Sequence, residues 1–203
     1  MERTLPDDPR RAELESLAHE SQALVRQVED LLELTSLTSG TVTPRLEWVP
    51  AEDVIYPCVE AFSGSRPEVS VASALPEPAP LCRIDETLVT KALTNLLENA
   101  AEYAPGPVDV GVKENGTTLR FEVADRGPGV PDSEKPRIFE QFVRGGTGKL
   151  SAGHRGTGLG LALVQTVARL HGGAAGVEDR PGGGAVFWFS LNQPEPPALW
   201  GAS

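Results

Sequence analysis

Between Leu14 and Thr35 the positions Leu14, Leu17, Ser21, Leu24, Val28, Leu31 and Thr35 follow one another at intervals of three and four. That is a heptad seam, weakened by the hydroxyls at Ser21 and Thr35. Asp8-Pro9 supplies the start, a capping carboxylate followed by proline at the first helical position. Gly40 supplies the stop. Leu32, Leu34 and Leu37 widen the apolar face. A helix with one apolar stripe must bury it against a partner helix, in this chain or another.

Beyond Gly40 the pattern changes to short mixed elements. Residues 42–49 read as a strand. Residues 51–62 read as a helix with Val54, Ile55, Val59 and Phe62 on one face and Pro57 as an irregularity. Val69 to Val71 and Leu81 to Ile84 read as short strands around a Pro-rich turn. Residues 85–103 predict a helix through Leu88, Ala92, Leu93, Leu96, Leu97, Ala100 and Tyr103. Residues 107–113 and 118–124 predict a hairpin around Asn115-Gly116. Residues 126–156 have no sustained period and read as a long loop with one short helix; loops of that length are functional lids or disordered. An apolar helix follows over 158–171, then strands at 174–179 and 185–191. The Pro-rich 193–203 predict a disordered tail. This order predicts an α+β fold, a two-layer sandwich with helices on one face of a mixed sheet, preceded by one long helix.

Composition narrows the possible partners. The chain has 203 residues and a formal net charge of −11. Such a chain is repelled by nucleic-acid phosphates and by anionic membrane surfaces. Cys58 and Cys82 form no CxxC pair and read as two buried thiols rather than a metal or redox site. There is neither a secretory signal pattern nor an apolar run long enough to span a bilayer, so the expected location is cytoplasmic.

Four segments carry candidate chemistry. Asn95 and Asn99 are one helical turn apart and share a face. Their carbonyl oxygens suit a hard cation such as Mg²⁺, and Glu98 beside them is a candidate proton acceptor. Asp125-Arg126-Gly127-Pro128-Gly129 follows a strand; its carboxylate suits an exocyclic amine and its glycines a close backbone approach. Ile138 to Arg144 places Phe139 and Phe142 three apart, as anchors for the long loop, with Arg144 within reach of a terminal phosphate. Gly156-Thr157-Gly158-Leu159-Gly160 enters a helix, where backbone N–H groups and the positive helix end favour phosphate. It lacks the Lys-Ser/Thr ending of P-loops and the preceding strand of dinucleotide folds. Each segment alone is equally a solvated helix face or a plain turn.

Taken in order, N-x-x-x-N, D-x-G-x-G, F-x-x-F and G-x-G-x-G resemble the Bergerat-type ATP-binding fold shared by histidine kinases, Hsp90, type II topoisomerases and MutL (the GHKL ATPases). The F-x-x-F element and the upstream helix ending Asp30-Leu31-Leu32-Glu33-Leu34 resemble sensor histidine kinases. Phe139 to Gly145 and Leu46-Glu47-Trp48 look most like the Kdp-type potassium-sensing kinases.

The resemblance implies ATP and Mg²⁺ as cofactors. It implies Asn99 as Mg²⁺ ligand, Asn95 at the triphosphate, and Glu98 as the base for the acceptor histidine. Tyr103 would pack on adenine, Asp125 would bind its amine, and Gly127 and Gly129 would shape the wall. Gly156, Gly158 and Gly160 would form the phosphate-facing hinge. Such a division suits a transfer that needs mainly positioning and charge neutralisation.

Residues 1–40 then correspond to the second helix of a dimerisation hairpin, 41–192 to the ATP-binding catalytic domain. The implied partners are an acceptor-histidine helix, indirectly a response regulator, and a weak second copy. Two departures stand out. Glu102 occupies a position where the family carries Lys or Arg, which would shift the phosphate role to Arg144, Lys149 or Arg155. None of His19, His154 and His171 sits in an acceptor box, and His171 matches a structural helix-end histidine. The chain therefore reads as a piece of a longer sensor kinase, the parent of which is open to membrane anchoring. The competing expectations are a nucleotide-binding regulatory module without kinase activity and an anti-sigma serine kinase; the long first helix argues against the latter.

Overall fold

A computed structural model describes residues 21, 25, 28, 29, 31–40, 42–104, 106–143 and 158–195. The first helix, α1, is continuous over 31–38. Its seam positions Val28 and Leu31 are exposed, as is Leu32 at 63%, whereas Leu34 (1%) and Leu37 enter the core. The last turn thus docks on the following domain, and the stripe above it faces outward.

Next come β1 (Glu47–Pro50), α2 (Ala51–Ser65), β2 (Val71–Ala74), β3 (Leu81–Ile84) and α3 (Glu86–Tyr103). The strand expected over 42–49 is shortened at its start. Pro44 has no N–H to give, and the Arg45 N–H is spent on Asp85 Oδ2 at 2.9 Å. Helix α2 runs through Pro57 unbroken. Helix α3 is capped by Asp85, whose Oδ1 accepts from Leu88 N. Its buried positions Leu88, Val89, Ala92, Leu93, Leu96, Leu97 and Ala100 recur at helical spacing, each contributing about 1.5–3 kcal/mol if fully buried and large.

Strands β4 (Val108–Asn115) and β5 (Thr118–Ala124) form the expected hairpin. Its turn is Gly116-Thr117, because Asn115 still pairs with Thr118. Gly116 has φ +60° and Thr117 does not have positive φ, which matches a II′ turn rather than the Asn-Gly I′ type. The chain ends with α4 (Gly160–Leu170), β6 (Ala175–Asp179) and β7 (Ala185–Asn192). The main sheet has the order β2-β4-β5-β7-β6, parallel only between β2 and β4; β1 and β3 pair separately. Period-two alternation buries Val108, Val110, Val112, Leu119, Phe121, Val123, Phe187, Phe189 and Leu191 on the helix side. Phe121 and Phe189 stack there at 5.1 Å. On the opposite face Arg120 lies 4.3 Å over the Trp188 ring and bonds Glu178 bidentately at 2.9–3.0 Å.

Three further expectations are corrected. Residues 132–142 contain turns and a bend, with no helix among the described residues. Pro136 interrupts them, and the bonds alternate between Arg137 N→Glu134 O and Ile138 N→Glu134 O rather than continuing as a ladder. Phe139 is buried as an anchor, but Phe142 is 62% exposed with φ +63°. Its backbone, not its ring, makes the attachment, by Phe142 N→Gly158 O at 2.9 Å. The strand near 69–71 begins only at Val71, since Val69 is held in a turn by Arg66 O. At the C-terminal end, Gln193 remains tied to the sheet through Thr117 O and Arg83 N.

Candidate functional site

The site residues are strung along α3, whose 1.5 Å rise per residue sets about 12 Å between Asn95 and Tyr103. At one end, Asp125 sits just past β5 and is 5% exposed. Its N–H donates to Ala185 O at 2.9 Å. Its Oδ1 accepts from Gly127 N at 2.8 Å and Ala185 N at 3.1 Å. Among the described residues Oδ2 has no partner, so that lone acceptor remains for a ligand donor. Gly127 fits because a Cβ there would stand 2.6 Å from Ala104 Cβ, at the end of α3. Gly129 has φ +76°, and a Cβ there would meet Gly184 O at 3.3 Å.

Toward the other end, Asn95 and Asn99 are both half-buried on one face of α3. Asn95 Nδ2 donates to Lys91 O at 3.0 Å. Gly160, the first residue of α4, rests against Asn95: a Cβ would lie 2.5 Å from its Oδ1. Asn99 makes no side-chain hydrogen bond among the described residues, which leaves its carbonyl for an incoming cation. No group of three or more His, Cys, Asp or Glu ligands exists among the described residues, so a Mg²⁺ held here would take most of its oxygens from phosphate and water. The N-terminus of α4 has no side-chain cap and no acidic residue in its first turn, the condition in which its amides favour an anion. Gly158 has φ +71° and packs on the backbone of Phe142 and Val143. Leu159 is buried.

Tyr103 and Glu102 are half-buried in the last turn of α3, beside Ala104 and hence beside Gly127. Glu98 lies about 100° from Asn99 around the helix. It lines a cavity of about 370 Å³ between α2 and α3, with Asp53, Pro57, Phe62, Thr90 and Thr94. The structure thus gathers Asn95, Asn99, Tyr103, Asp125, Gly127, Gly129, Gly158, Leu159 and Gly160 along one line and sets Glu98 on a neighbouring groove. Arg144, Gly156 and Thr157, with Lys149, His154, Arg155 and His19, lie outside the described residues.

Sequence reasoning missed what supports this line. Arg180 Nη1 donates to Ala124 O at 3.2 Å and to Asp125 O at 3.1 Å, and its Nη2 pairs with the Asp109 carboxylate. Gly184, with φ +102°, abuts Asp125 O so closely that a Cβ would stand 2.2 Å from it. Only a turn composition, Arg180 to Gly184, marked the spot. His171 was expected to be structural, and it is: its Nε2 accepts from Asp85 N at 3.0 Å while Nδ1 donates to Val167 O at 2.8 Å. That network assigns the neutral Nδ1–H tautomer. Burial pushes the His171 pKa down, against the Val167 bond and the Asp85 charge. Both thiols are buried; burial raises that of Cys58 and pushes that of Cys82 up to about 12, which makes both inert.

Comparison with known proteins places the chain in a family. Residues 84–195 match the family described as histidine kinase-, DNA gyrase B-, and HSP90-like ATPase. The chain is 36% identical over 178 residues to the sensor protein KdpD of Escherichia coli strain K12, covering 86% of this chain and 19% of that protein. It is 31% identical over 191 residues to the alginate biosynthesis sensor protein KinB of Pseudomonas aeruginosa, covering 92% and 31%. It superposes on full-length ShkA in complex with AMPPNP with a TM-score of 0.78 and 30% identity, covering 95% and 41%. The chain therefore spans about a fifth to a third of these curated relatives. With the family match covering more than half of its residues, the chain belongs to the histidine kinase-, DNA gyrase B- and HSP90-like ATPases, and its relatives there include proteins named as sensor histidine kinases.

Proposed function

We propose that this chain is the ATP-binding catalytic domain of a two-component sensor histidine kinase, which binds Mg-ATP along α3 and passes the γ-phosphate to a histidine outside the chain. The observation that carries it is the placement, beside α3, of a buried carboxylate past β5, Asp125, and, on α3, of a half-buried amide, Asn99, each with a side-chain oxygen that has no partner among the described residues. Adenine's amine meets Asp125, and the triphosphate runs toward Asn95 and the α4 N-terminus. Mg²⁺, where bound, neutralises phosphate charge; Asn99 supplies its protein oxygen. Arg144, Gly156 and Thr157 complete the phosphate end in this reading. The AMPPNP complex of ShkA and the structure of the ATP binding domain of PrrB from Mycobacterium tuberculosis support the nucleotide.

Glu98 serves as the base only if the acceptor histidine approaches from the α2–α3 groove. Residues 1–40 act as the second helix of a dimerisation hairpin. The exposed Val25, Val28 and Leu32 are the reason to expect weak pairing with a second copy and docking of the hairpin's first helix. A response regulator is the downstream partner, and the relation to KdpD supports a Kdp-type parent.

Calorimetric titration with Mg-ATP tests the pocket. Saturable binding that Asn99→Ala abolishes is the expected result; a folded parent chain that binds nothing overturns it. Phosphotransfer to a separately supplied acceptor hairpin tests the enzyme. A regulatory module without kinase activity is the second reading, favoured by Glu102, a carboxylate at a sequence position where the family resemblance implies Lys or Arg. ATP binding without any transfer to the cognate hairpin would select it.

A further inference from the structure

At the end of β5 the sheet runs out of strand partners just where the candidate adenine acceptor begins. Ala124 is the last β5 residue in register, opposite Asp109 of β4 and Val186 of β7. Beyond it, carbonyls near the ladder's end need another donor or water. Arg180 supplies one. It lies one residue past β6, and its guanidinium reaches the outer end of β5 and the Asp109 carboxylate on β4. Its side chain is only 14% exposed. One planar fork thus holds Ala124 O, Asp125 O and Asp109 together, which Arg geometry permits and a point charge does not. The same turn closes by Arg180 N→Gly184 O at 3.1 Å, and Gly184 presses on the Asp125 carbonyl.

We propose that Arg180 is a positioning residue for purine selectivity, fixing the Asp125 backbone so that its open carboxylate oxygen meets an adenine amine and opposes a guanine carbonyl. The inference rests on the ATP reading above. Adenine offers an N–H donor at the position where guanine offers an oxygen acceptor. A carboxylate locked in place rewards the first and repels the second. A carboxylate free to swing loses both effects, so the discrimination ratio reports its positioning more directly than affinity alone.

The test compares ATP and GTP binding by the full chain, with Mg²⁺, in the parent and in Arg180→Met, Arg180→Lys, Asp109→Asn and Asp125→Asn. Thermal melting and circular dichroism check that each is folded. Arg180→Met is expected to lower the ATP:GTP affinity ratio about tenfold, the scale of one hydrogen bond from a charged donor. Arg180→Lys recovers part of the ratio, and Asp109→Asn shifts it less in the same direction. An unchanged ratio in folded Arg180→Met overturns the proposal. If that variant does not fold, Arg180→Lys and Asp109→Asn decide: a lowered ratio in either supports the proposal, and parental ratios in both overturn it. The ATP reading fails separately: a parent that does not bind ATP, or an Asp125→Asn chain that binds it as well as the parent, overturns both.

Discussion

The two ends of the line of site residues along α3 would meet a nucleotide in opposite ways. At the Asp125 end the protein is bonded to itself: Oδ1, the N–H and the C=O of that residue are all engaged, and one oxygen has no partner among the described residues. At the Asn99 end the polar groups wait: an amide without a partner among the described residues and, at α4, a helix start without a side-chain cap. The difference teaches where rigidity is useful. A base is recognised by fixed complementarity, and a misplaced acceptor forfeits it. A triphosphate with its cation brings its own oxygens and charge, so the protein can offer a few groups and let the ligand complete the shell.

The comparison breaks most easily at Gly184. Substitution to alanine forces a side chain into φ +102° and onto Asp125 O. A loss of about 3 kcal/mol in stability is expected from backbone strain plus contact, read as a fall in denaturation midpoint. A melting curve like the parent's would mean that the base end is more pliant than argued. Asn99→Ala should do the reverse. Nucleotide affinity falls by about a hundredfold or more, since even outer partners of a metal ligand are worth about 10–100-fold, while the melting temperature hardly moves. A strongly destabilised Asn99→Ala would place that residue among the structural groups and erase the contrast.

Proton binding sharpens the picture at the start of α3. His171 is buried neutral, with its pKa below the ordinary 6.5. The unfolded chain therefore takes up a proton that the folded chain resists. Stability is full above about pH 6.5 and is lost as pH falls from there through the depressed folded value. His171→Gln should remove that part of the acid sensitivity in urea titrations across this range; an unaltered pH profile would count against it. The smallest effect belongs to Glu33. Its ion pair with Lys91 joins α1 to α3 at the surface, and Glu33→Gln should cost no more than about 1 kcal/mol, diminishing with salt.

Much of this was legible in the sequence because it is local. Strand β3 and helix α3 fall within a residue of their periodic patterns, and the D-x-G-x-G and N-x-x-x-N spacings place Asp125 and Asn99 correctly on strand end and helix face. What was hidden depends on residues distant in the chain. Asp85 is bonded by His171 and Arg45, and Asp125 by Arg180 and Ala185; no period links such pairs. Phe142 misled because an aromatic three residues after a buried one imitates a helical face, whereas Pro136 prevents that helix and left-handed backbone at Phe142 turns the ring outward. The same segment hid the meeting of Phe142 with Gly158, a contact made entirely by backbone.

The end of α1 has a mechanical side. Thr35, Ser36 and Thr38 return their hydroxyls to the carbonyls of Leu31, Leu32 and Leu34 at 2.7–2.8 Å, and Ser39 does the same to Ser36 at 3.0 Å. Hydroxyls bonded back in this way weaken and bend a helix, and here they gather in the turn just before Gly40, whose φ is +71°. Torque carried down a stiff rod would therefore be spent at this joint in bending, while Leu34 and Leu37 keep the rod's tip attached. A helix so jointed can bend there while its tip stays docked.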